Sequence, residues 1–340
     1  MTRWTTLVFT LFLFAGMVAA QEFAGLLRDE MALALRASAA SAGMGNAYVA
    51  VPGADSMNPA ALGVIEDWQA EVEYVHTRFD DAPHVNDGIA KLYIPVPRIG
   101  GCLRLMGEYY DSGHRERTKL GLDADFDSRT LGFQYGRAFL DGKLRVGLGG
   151  YPYEKANIDF FTPGGAHAIH GEAFSQVGSL DGGIQYDVHP RVTLGFRAIY
   201  IIDRLEGTLY PPATGGLKHD LGHDNFHIHY LVPGIAIRPF DHTLLAVDYW
   251  RGKIDGKAAS GGDFEQDIDR WSFGVEQRLL DDRLILRTGG WNGGFTAGAG
   301  TRLMDGRLSL DYAYVNESYQ DIGNVFGDGQ SHFVTLRFKF

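Results

Sequence analysis

Residues 331–340 read SHFVTLRFKF, and this short stretch decides the class of fold. Every second residue in it is apolar, and these residues are Val334, Leu336, Phe338 and Phe340. Arg337 and its polar neighbours fall between them. Successive side chains of a strand point to opposite faces, so this pattern predicts a strand with one apolar and one polar face.

The strand ends on an aromatic residue, Phe340, at the position where aromatic girdles meet the surface of a membrane. Phe338 and Phe340 resemble the terminal signal by which outer-membrane proteins are recognised for insertion. We therefore expect two partners during biogenesis and afterwards, the barrel-assembly machinery and outer-membrane lipids.

The same alternation recurs along the chain after Trp68. It predicts fourteen strands, an even number that leaves both termini in the periplasm. Their ranges are 69–79, 88–96, 102–110, 127–139, 143–153, 173–187, 191–205, 224–239, 242–253, 266–279, 283–290, 294–303, 307–315 and 330–340.

The connections between these strands alternate in length. Short turns such as Asp141-Gly142 and Asp305-Gly306 lie at one end, and longer polar loops such as 206–223 and 316–329 lie at the other. Outer-membrane barrels have short periplasmic turns and long extracellular loops. The fold class is therefore all-β, a transmembrane antiparallel up-and-down barrel. A soluble β-sandwich or a lipocalin-like barrel is the alternative.

The composition agrees with a membrane barrel and limits the possible partners. Mean hydropathy is -0.13, as expected when strands alternate apolar and polar residues, and glycine is abundant at 45 of 340 residues. The formal net charge of -11 argues against nucleic acid as a partner. Cys102 is the one cysteine, so no internal disulfide can form.

The first twenty residues predict a cleaved secretory signal. Arg3 precedes a short apolar run at 7–14, and small residues at 18–20 precede a cleavage site after Ala20. The chain therefore divides into a signal peptide at 1–20, an N-terminal segment at 21–68 and a barrel at 69–340. We expect the mature protein in the outer membrane of a Gram-negative-type cell.

The segment 21–68 does not alternate. It predicts a helix ending near Gly43, a short strand at 46–51 and one helical turn begun by Asn58 and Pro59. A segment of this size ahead of the first strand would fill the lumen as a plug.

Within this segment, the residues Gly43-Met44-Gly45-Asn46-Ala47-Tyr48 and Asn58-Pro59-Ala60-Ala61-Leu62 resemble the N-terminal signature of the FadL/TodX superfamily. That group contains outer-membrane transporters of hydrophobic compounds and the related PorV/PorQ barrels. The resemblance implies that the segment is a lumenal hatch inside a fourteen-stranded barrel. It places five residues near the gate: Gly43, Gly45, Asn58, Pro59 and Ala60.

Alternation also predicts which charged side chains face the lumen. They are Arg104, Glu108, Arg145, Arg197, Asp248, Arg270, Glu276, Arg287, Asp311 and Arg337. Their mixed signs indicate a salt-bridged lumen rather than a filter of one sign. Pro233-Gly234 interrupts one strand and predicts a bulge or kink, either shaping the wall or opening it sideways.

No motif indicates catalysis or a cofactor. Four histidines between His219 and His229 lack the spacing of an established metal site, and we expect no metal. Two functions remain open. One is passive uptake of a hydrophobic or amphipathic small-molecule ligand of the fatty-acid or hydrocarbon type; the other is a non-transporting PorV-like scaffold. An enzyme is a distant third.

Overall fold

The wall of the molecule is a single sheet that closes on itself. The computed structural model describes residues 38–54, 56–79, 84–111, 116–117, 123–161, 165, 167–175, 179–209, 219–257, 263–291, 293–317 and 329–340. The predicted signal peptide, residues 1–20, lies outside them. So does the stretch 21–37 of the predicted N-terminal segment.

The described residues form two short helices and sixteen strand segments. The helices are α1 (Ala39–Gly43) and the 3-10 helix η1 (Pro59–Val64). The first eight strands are β1 (Gln69–Phe79), β2 (Val85–Pro95), β3 (Cys102–Asp111), β4 (Glu116–Arg117), β5 (Asp123–Phe139), β6 (Leu144–Phe161), β7 (His167–Ser175) and β8 (Ser179–His189). The remainder are β9 (Val192–Leu209), β10 (His219–Phe240), β11 (Thr243–Lys257), β12 (Asp263–Leu279), β13 (Leu284–Trp291), β14 (Gly294–Leu303), β15 (Leu308–Glu317) and β16 (Gly329–Lys339). Neither helix is long and apolar enough to cross a membrane.

These segments make fourteen positions around the wall. β3 and β4 pair with successive parts of β5, and β7 and β8 both lie between β6 and β9. All pairings are antiparallel, and β16 pairs with β1 to complete the ring. The predicted fourteen-stranded antiparallel barrel is confirmed, and closure leaves no free sheet edge.

Several strands are longer than the alternation predicts, always at the loop end. β6 continues to Phe161 rather than ending near 153, and β10 begins at His219 rather than 224. The predicted single strand 173–187 is divided into β7 and β8. Beyond the membrane both faces of a hairpin meet water, so the backbone ladder continues where the hydrophobic alternation has already stopped.

The two faces of the wall differ as the C-terminal strand predicts. Val334 and Leu336 are 39% and 47% exposed, whereas Phe333 and Thr335 are each 1% exposed. Exposed apolar side chains recur at alternate positions on the other strands, for example Leu148. This continuous apolar exterior is the surface that lipid tails cover in a membrane barrel.

Three short turns use the same backbone conformation. In each, three consecutive residues have positive φ: 140–142, 280–282 and 304–306. Gly142 and Gly306 take the third position without steric cost, and Asp282 takes it in the middle turn. These turns lie where the sequence predicts tight connections, and they set the register of the hairpins.

Candidate functional site

The described residues between 38 and 68, which we call the inner segment, lie inside the barrel. Ser38 caps the start of α1. Its hydroxyl accepts a hydrogen bond from the Ser41 backbone N–H, and the Ser41 hydroxyl accepts one from the Ser38 backbone N–H. The α1 backbone N–H of Ala39 donates to Thr335 Oγ1 on the inner wall at 2.8 Å. Small, fully buried residues allow this helix to approach the wall backbone closely.

The glycines of the resemblance lie where the inner segment touches the wall. A Cβ on Gly43 would lie 3.2 Å from the Gly298 Cα atom, and a Cβ on Gly45 would overlap the carbonyl of Gly290. Gly45 also has φ +61, a conformation that favours glycine. Gly45 therefore requires glycine for the segment to dock, whereas a Cβ on Gly43 would need the Gly298 backbone to move by a few tenths of an ångström.

Residues 46–51 do not form the predicted strand; they form turns. Their backbone groups bond to wall side chains instead of to another strand. Val49 N donates to Asp248 Oδ2 at 2.9 Å, and Gln185 Nε2 donates to the carbonyls of Val49 and Val51 at 2.9 and 3.1 Å. The short apolar run resembles a strand in sequence, but tertiary hydrogen bonds decide its conformation.

Asn58 joins two parts of the inner segment to each other and joins the segment to the wall. Its Oδ1 accepts from Ala60 N at 3.0 Å and so caps η1, with Pro59 at the first helical position. Its Nδ2 donates to the carbonyl of Val49 at 3.0 Å. The same Nδ2 lies 3.2 Å and 3.1 Å from the wall carbonyls of Ile184 and Phe196.

Wall glycines make room for this arrangement. A Cβ on Gly183 would overlap Asn58 Oδ1, and a Cβ on Gly147 would lie 2.5 Å from the carbonyl oxygen of Pro59. Asn58, Pro59 and Ala60 are thus fully enclosed between strands. The structure brings the five predicted gate residues into contact with the wall; whether they gate a passage is taken up below.

Of the ten charged residues predicted to face the lumen, all except Glu108 are almost completely buried, and Glu108 is partly exposed. Most belong to paired networks. Arg287 bridges Glu276 at 2.8 Å and Asp311 at 2.7 Å. Arg197 makes two hydrogen bonds to Asp181, at 3.0 and 2.7 Å. Buried ions need such partners because leaving water is costly for a charge.

Further charged side chains of the first two strands face the lumen. Glu71, Glu73 and Lys91 are also buried inside, and Lys91 Nζ lies 2.8 Å from Glu71 Oε1. Arg337 Nε, across the seam on β16, donates to Glu71 Oε2 at 2.7 Å. The same period-two pattern could have identified these residues, because Glu71 and Glu73 alternate with Val72 and Tyr74.

An apolar cluster occupies the lumen on the side of the inner segment away from the short turns. We call it the lumenal apolar cluster; its residues are Val49, Met57, Ile199, Ile201, Ile228, Tyr230, Val232, Trp250, Ile268 and Trp291. The rings of Tyr230, Trp250 and Trp291 meet edge to face, with centroids 6.1 and 5.3 Å apart. Sequence reasoning missed it because apolar residues on the inward face interrupt the expected alternation.

The expected bulge at Pro233-Gly234 is absent. Leu231 pairs with Arg251 and Gly234 with Asp248, so the register with β11 is the same on both sides. The ladder to β9 also continues through Pro233. Pro233 points outward, where its missing N–H leaves a short gap in the ladder but inserts no extra residue.

Among the four histidines, the side chains of His219 and His223 lie outside the part of the chain that the structure describes. His227 Nδ1 lies 3.6 Å from Asp255 Oδ2 on the outer surface, and both are exposed. Among the residues that the structure describes, no group of three or more metal-ligating side chains could hold a metal ion.

The closed wall, its apolar exterior and the buried, ion-paired interior define an outer-membrane β-barrel with an internal N-terminal segment. Its fold is that of the FadL/TodX-type barrels. No family model matches the sequence, and a search of curated proteins finds no match.

Three similar solved structures are a transporter, a channel and a FadL homologue. The toluene transporter TbuX of Ralstonia pickettii is 14% identical with a TM-score of 0.58, and the match covers 89% of this chain and 98% of that one. The monoaromatic hydrocarbon channel CymD is 14% identical with a TM-score of 0.58, and the match covers 90% of this chain and 98% of that one. A FadL homologue of Pseudomonas aeruginosa is 14% identical with a TM-score of 0.57, and the match covers 90% of this chain and 98% of that one.

Proposed function

We propose that this protein is a passive outer-membrane transporter of hydrophobic or amphipathic small molecules, of the long-chain fatty-acid or hydrocarbon type. The observation that carries the proposal is the lumenal apolar cluster. A lumen that conducts water or ions is lined by polar groups. Inward-facing isoleucine and tryptophan side chains instead offer an apolar ligand a surface that water does not solvate well.

The inner segment is the part that would have to move. Val49 and Met57 of the inner segment belong to the cluster together with wall residues such as Trp250 and Ile228. Displacement of the segment would expose this wall surface to an incoming ligand. In this proposal Gly43, Gly45 and the Asn58-Pro59-Ala60 turn form the hatch, with the wall acting as a rigid frame.

The similar structures support this proposal at the level of the fold. TbuX is a toluene transporter and CymD is a monoaromatic hydrocarbon channel. Both handle apolar compounds, which agrees with the chemistry of the lumenal apolar cluster in this chain.

Ligand binding to the purified barrel tests the proposal. We expect apolar ligands, represented by toluene and a long-chain fatty acid, to change the tryptophan fluorescence of the detergent-solubilised protein. Trp250→Ala should weaken binding roughly tenfold, because the ligand loses the burial of a large apolar side chain. Trp271→Ala is the matched control, since Trp271 is 63% exposed on the outer face.

Native mass spectrometry and uptake provide independent readouts. We expect a co-purified apolar ligand on the wild-type barrel and slower uptake in a deletion strain. Repeated absence of any ligand, no binding in the fluorescence titration and no uptake defect would together contradict transport.

A second function, a PorV/PorQ-like scaffold for secretion or surface attachment, is favoured by one observation. The inner segment is tightly packed, and the ion pairs of Arg197 and Arg287 leave the surrounding lumen filled. A scaffold needs no passage. Loss of a secreted protein from the surface of the deletion strain, with normal uptake of apolar compounds, would favour this function.

Export and insertion are also part of the proposal. Cleavage after Ala20 predicts a mature protein that starts at Gln21, which intact-mass measurement checks directly. Phe338 and Phe340 are exposed on the outer wall with ring centroids 5.0 Å apart, as a signal read by the assembly machinery would need to be. Phe340→Ala should lower the amount of assembled barrel in the outer membrane.

A further inference from the structure

A small cavity lies against the inner wall where β1, β2, β3 and β16 meet. Its volume is about 10 Å³, room for roughly one water molecule. The residues that matter here are two carboxylates and four apolar or aromatic side chains: Glu73, Asp87, Val75, Ile89, Tyr110 and Phe333. The register places each carboxylate opposite an apolar residue, Glu73 opposite Ile89 and Asp87 opposite Val75, so the lining is mixed.

Both carboxylates have an oxygen without a partner. Glu73 Oε2 accepts a hydrogen bond from Thr335 Oγ1 at 2.6 Å, but Glu73 Oε1 has no partner among the described residues. Asp87 Oδ1 likewise has none. Glu73 is 1% exposed and Asp87 is 7% exposed, so bulk water does not replace the missing partners. Buried polar atoms are nearly always hydrogen-bonded, so these two oxygens call for a ligand.

A third carboxylate, Glu108, hydrogen-bonds to Asp87, so these two carboxyl groups hold one proton between them. Glu108 on β3 pairs across the ladder with Ile89, which pairs with Glu73 on the other side. Within the part of the chain that the structure describes, none of Glu73, Asp87 and Glu108 forms a salt bridge. The cations of this region, Lys91 and Arg337, lie one row nearer the periplasm and contact Glu71.

Three carboxylates close together in a buried setting strongly disfavour a further anion. An ammonium group has about the size of a water molecule and carries three N–H donors that can reach unpartnered carboxylate oxygens. The cavity itself has room for the ammonium group only, so the first carbons of an attached alkyl chain would have to displace the apolar side chains of Val75, Ile89 and Phe333. A quaternary ammonium group is larger and has no N–H to donate.

We propose that this cavity is a head-group site for a primary alkylamine, a cationic amphipathic ligand that binds apart from the fatty-acid or hydrocarbon ligands of the lumenal apolar cluster. The inference rests on the proposed transport of amphipathic molecules and specifies their polar end. Binding there is also coupled to the inner segment. Thr335 Oγ1 donates to Glu73 and accepts a hydrogen bond from Ala39 N, the first backbone N–H of α1.

The test is a competition experiment on the full-length barrel in non-ionic detergent, read by native mass spectrometry. The probes are octylamine, octan-1-ol, octanoate and octyltrimethylammonium, which share one chain length. We expect octylamine to bind at least tenfold more tightly than octan-1-ol, with octanoate and octyltrimethylammonium weaker still.

The double variant Glu73→Gln/Asp87→Asn should lose the preference for octylamine at least tenfold while keeping the shape of both side chains. Asp267→Asn is the matched control, because it removes a carboxylate from the exposed outer surface. Slower gel migration on heating confirms that each variant is a folded barrel. If the double variant does not fold, the wild-type preference among the four probes still decides the matter.

The outcomes separate the two proposals. Equal binding of octylamine and octan-1-ol, as expected for uncharged carboxyl groups, overturns the inference but leaves transport standing. Tighter binding of octanoate than of octylamine also overturns the inference and leaves transport standing. If none of these probes binds and toluene also fails to bind, both the inference and the proposed function are overturned.

Discussion

Replacing Asn58 with alanine removes the amide that ties the inner segment to the wall. The side chain is fully buried, and its amide spans Val49 O in the inner segment and two wall carbonyls, those of Ile184 and Phe196. Alanine also removes the cap from the Ala60 N–H.

The expected cost can be estimated from these bonds. Two amide protons and one capping oxygen make about three hydrogen bonds, and each contributes about 1 kcal/mol in a buried site. Asn58→Ala should therefore weaken docking of the inner segment by about 3 kcal/mol, or about two orders of magnitude in the ratio of detached to docked segment. The wall should remain folded, because its ladders do not include this side chain.

Two assays measure the detached population. Hydrogen exchange should show faster exchange at the amides of Val49 and Ala60, while wall amides keep their protection. In planar bilayers the variant should show ion conductance that the wild type lacks. Asn316→Ala, which changes an exposed asparagine of β15, is the control for both assays. Unchanged hydrogen exchange and conductance in Asn58→Ala would refute the inference that Asn58 holds the inner segment against the wall.

Three further substitutions test the wall. Gly147→Val should prevent docking of the inner segment or stop folding, because the added side chain overlaps the backbone of Pro59. Gly182→Ala should be neutral, because no atom lies within 4 Å of a Cβ at that position. The change in gel migration on heating distinguishes the two variants. Arg287→Leu removes one of two arginine partners from each of two buried carboxylates, because Glu276 keeps Arg278 and Asp311 keeps Arg302. The loss of two charged hydrogen bonds should lower the free energy of unfolding in urea by about 3 kcal/mol. Arg191→Ala, in an exposed pair, should cost about 1 kcal/mol or less, and equal losses would contradict the difference in burial. Pro233→Ala should retain wild-type stability and ligand uptake, because the register is unbroken around it, and a clear uptake defect would revive a lateral opening at this point.

The wall could be predicted from the sequence because two repeated signals agree. Alternation identifies the faces, and tight turns such as Asp141-Gly142 divide one strand from the next. Both signals depend on near neighbours in the chain. The position of Arg197 inside the barrel follows from its neighbours alone, although its partner Asp181 lies on another strand.

The interior was harder to predict because it depends on distant contacts. The conformation of Val49 follows from Asp248 and Gln185, which lie far away in sequence. The inward tryptophans Trp250 and Trp291 contradict the simple rule that the inward face is polar. A rule that reads one strand at a time contains no information about such contacts.

The seam between β1 and β16 constrains how the molecule is assembled. β16 bonds to the first strand of the wall, from Gln69 opposite Lys339 to Phe79 opposite Gly329, and Phe340 N bonds to Trp68 O. The inner segment is joined directly to β1 and is enclosed by the finished ring, so closure of this seam also confines the segment. Any change that opens the β1–β16 ladder would therefore release the wall and its contents together.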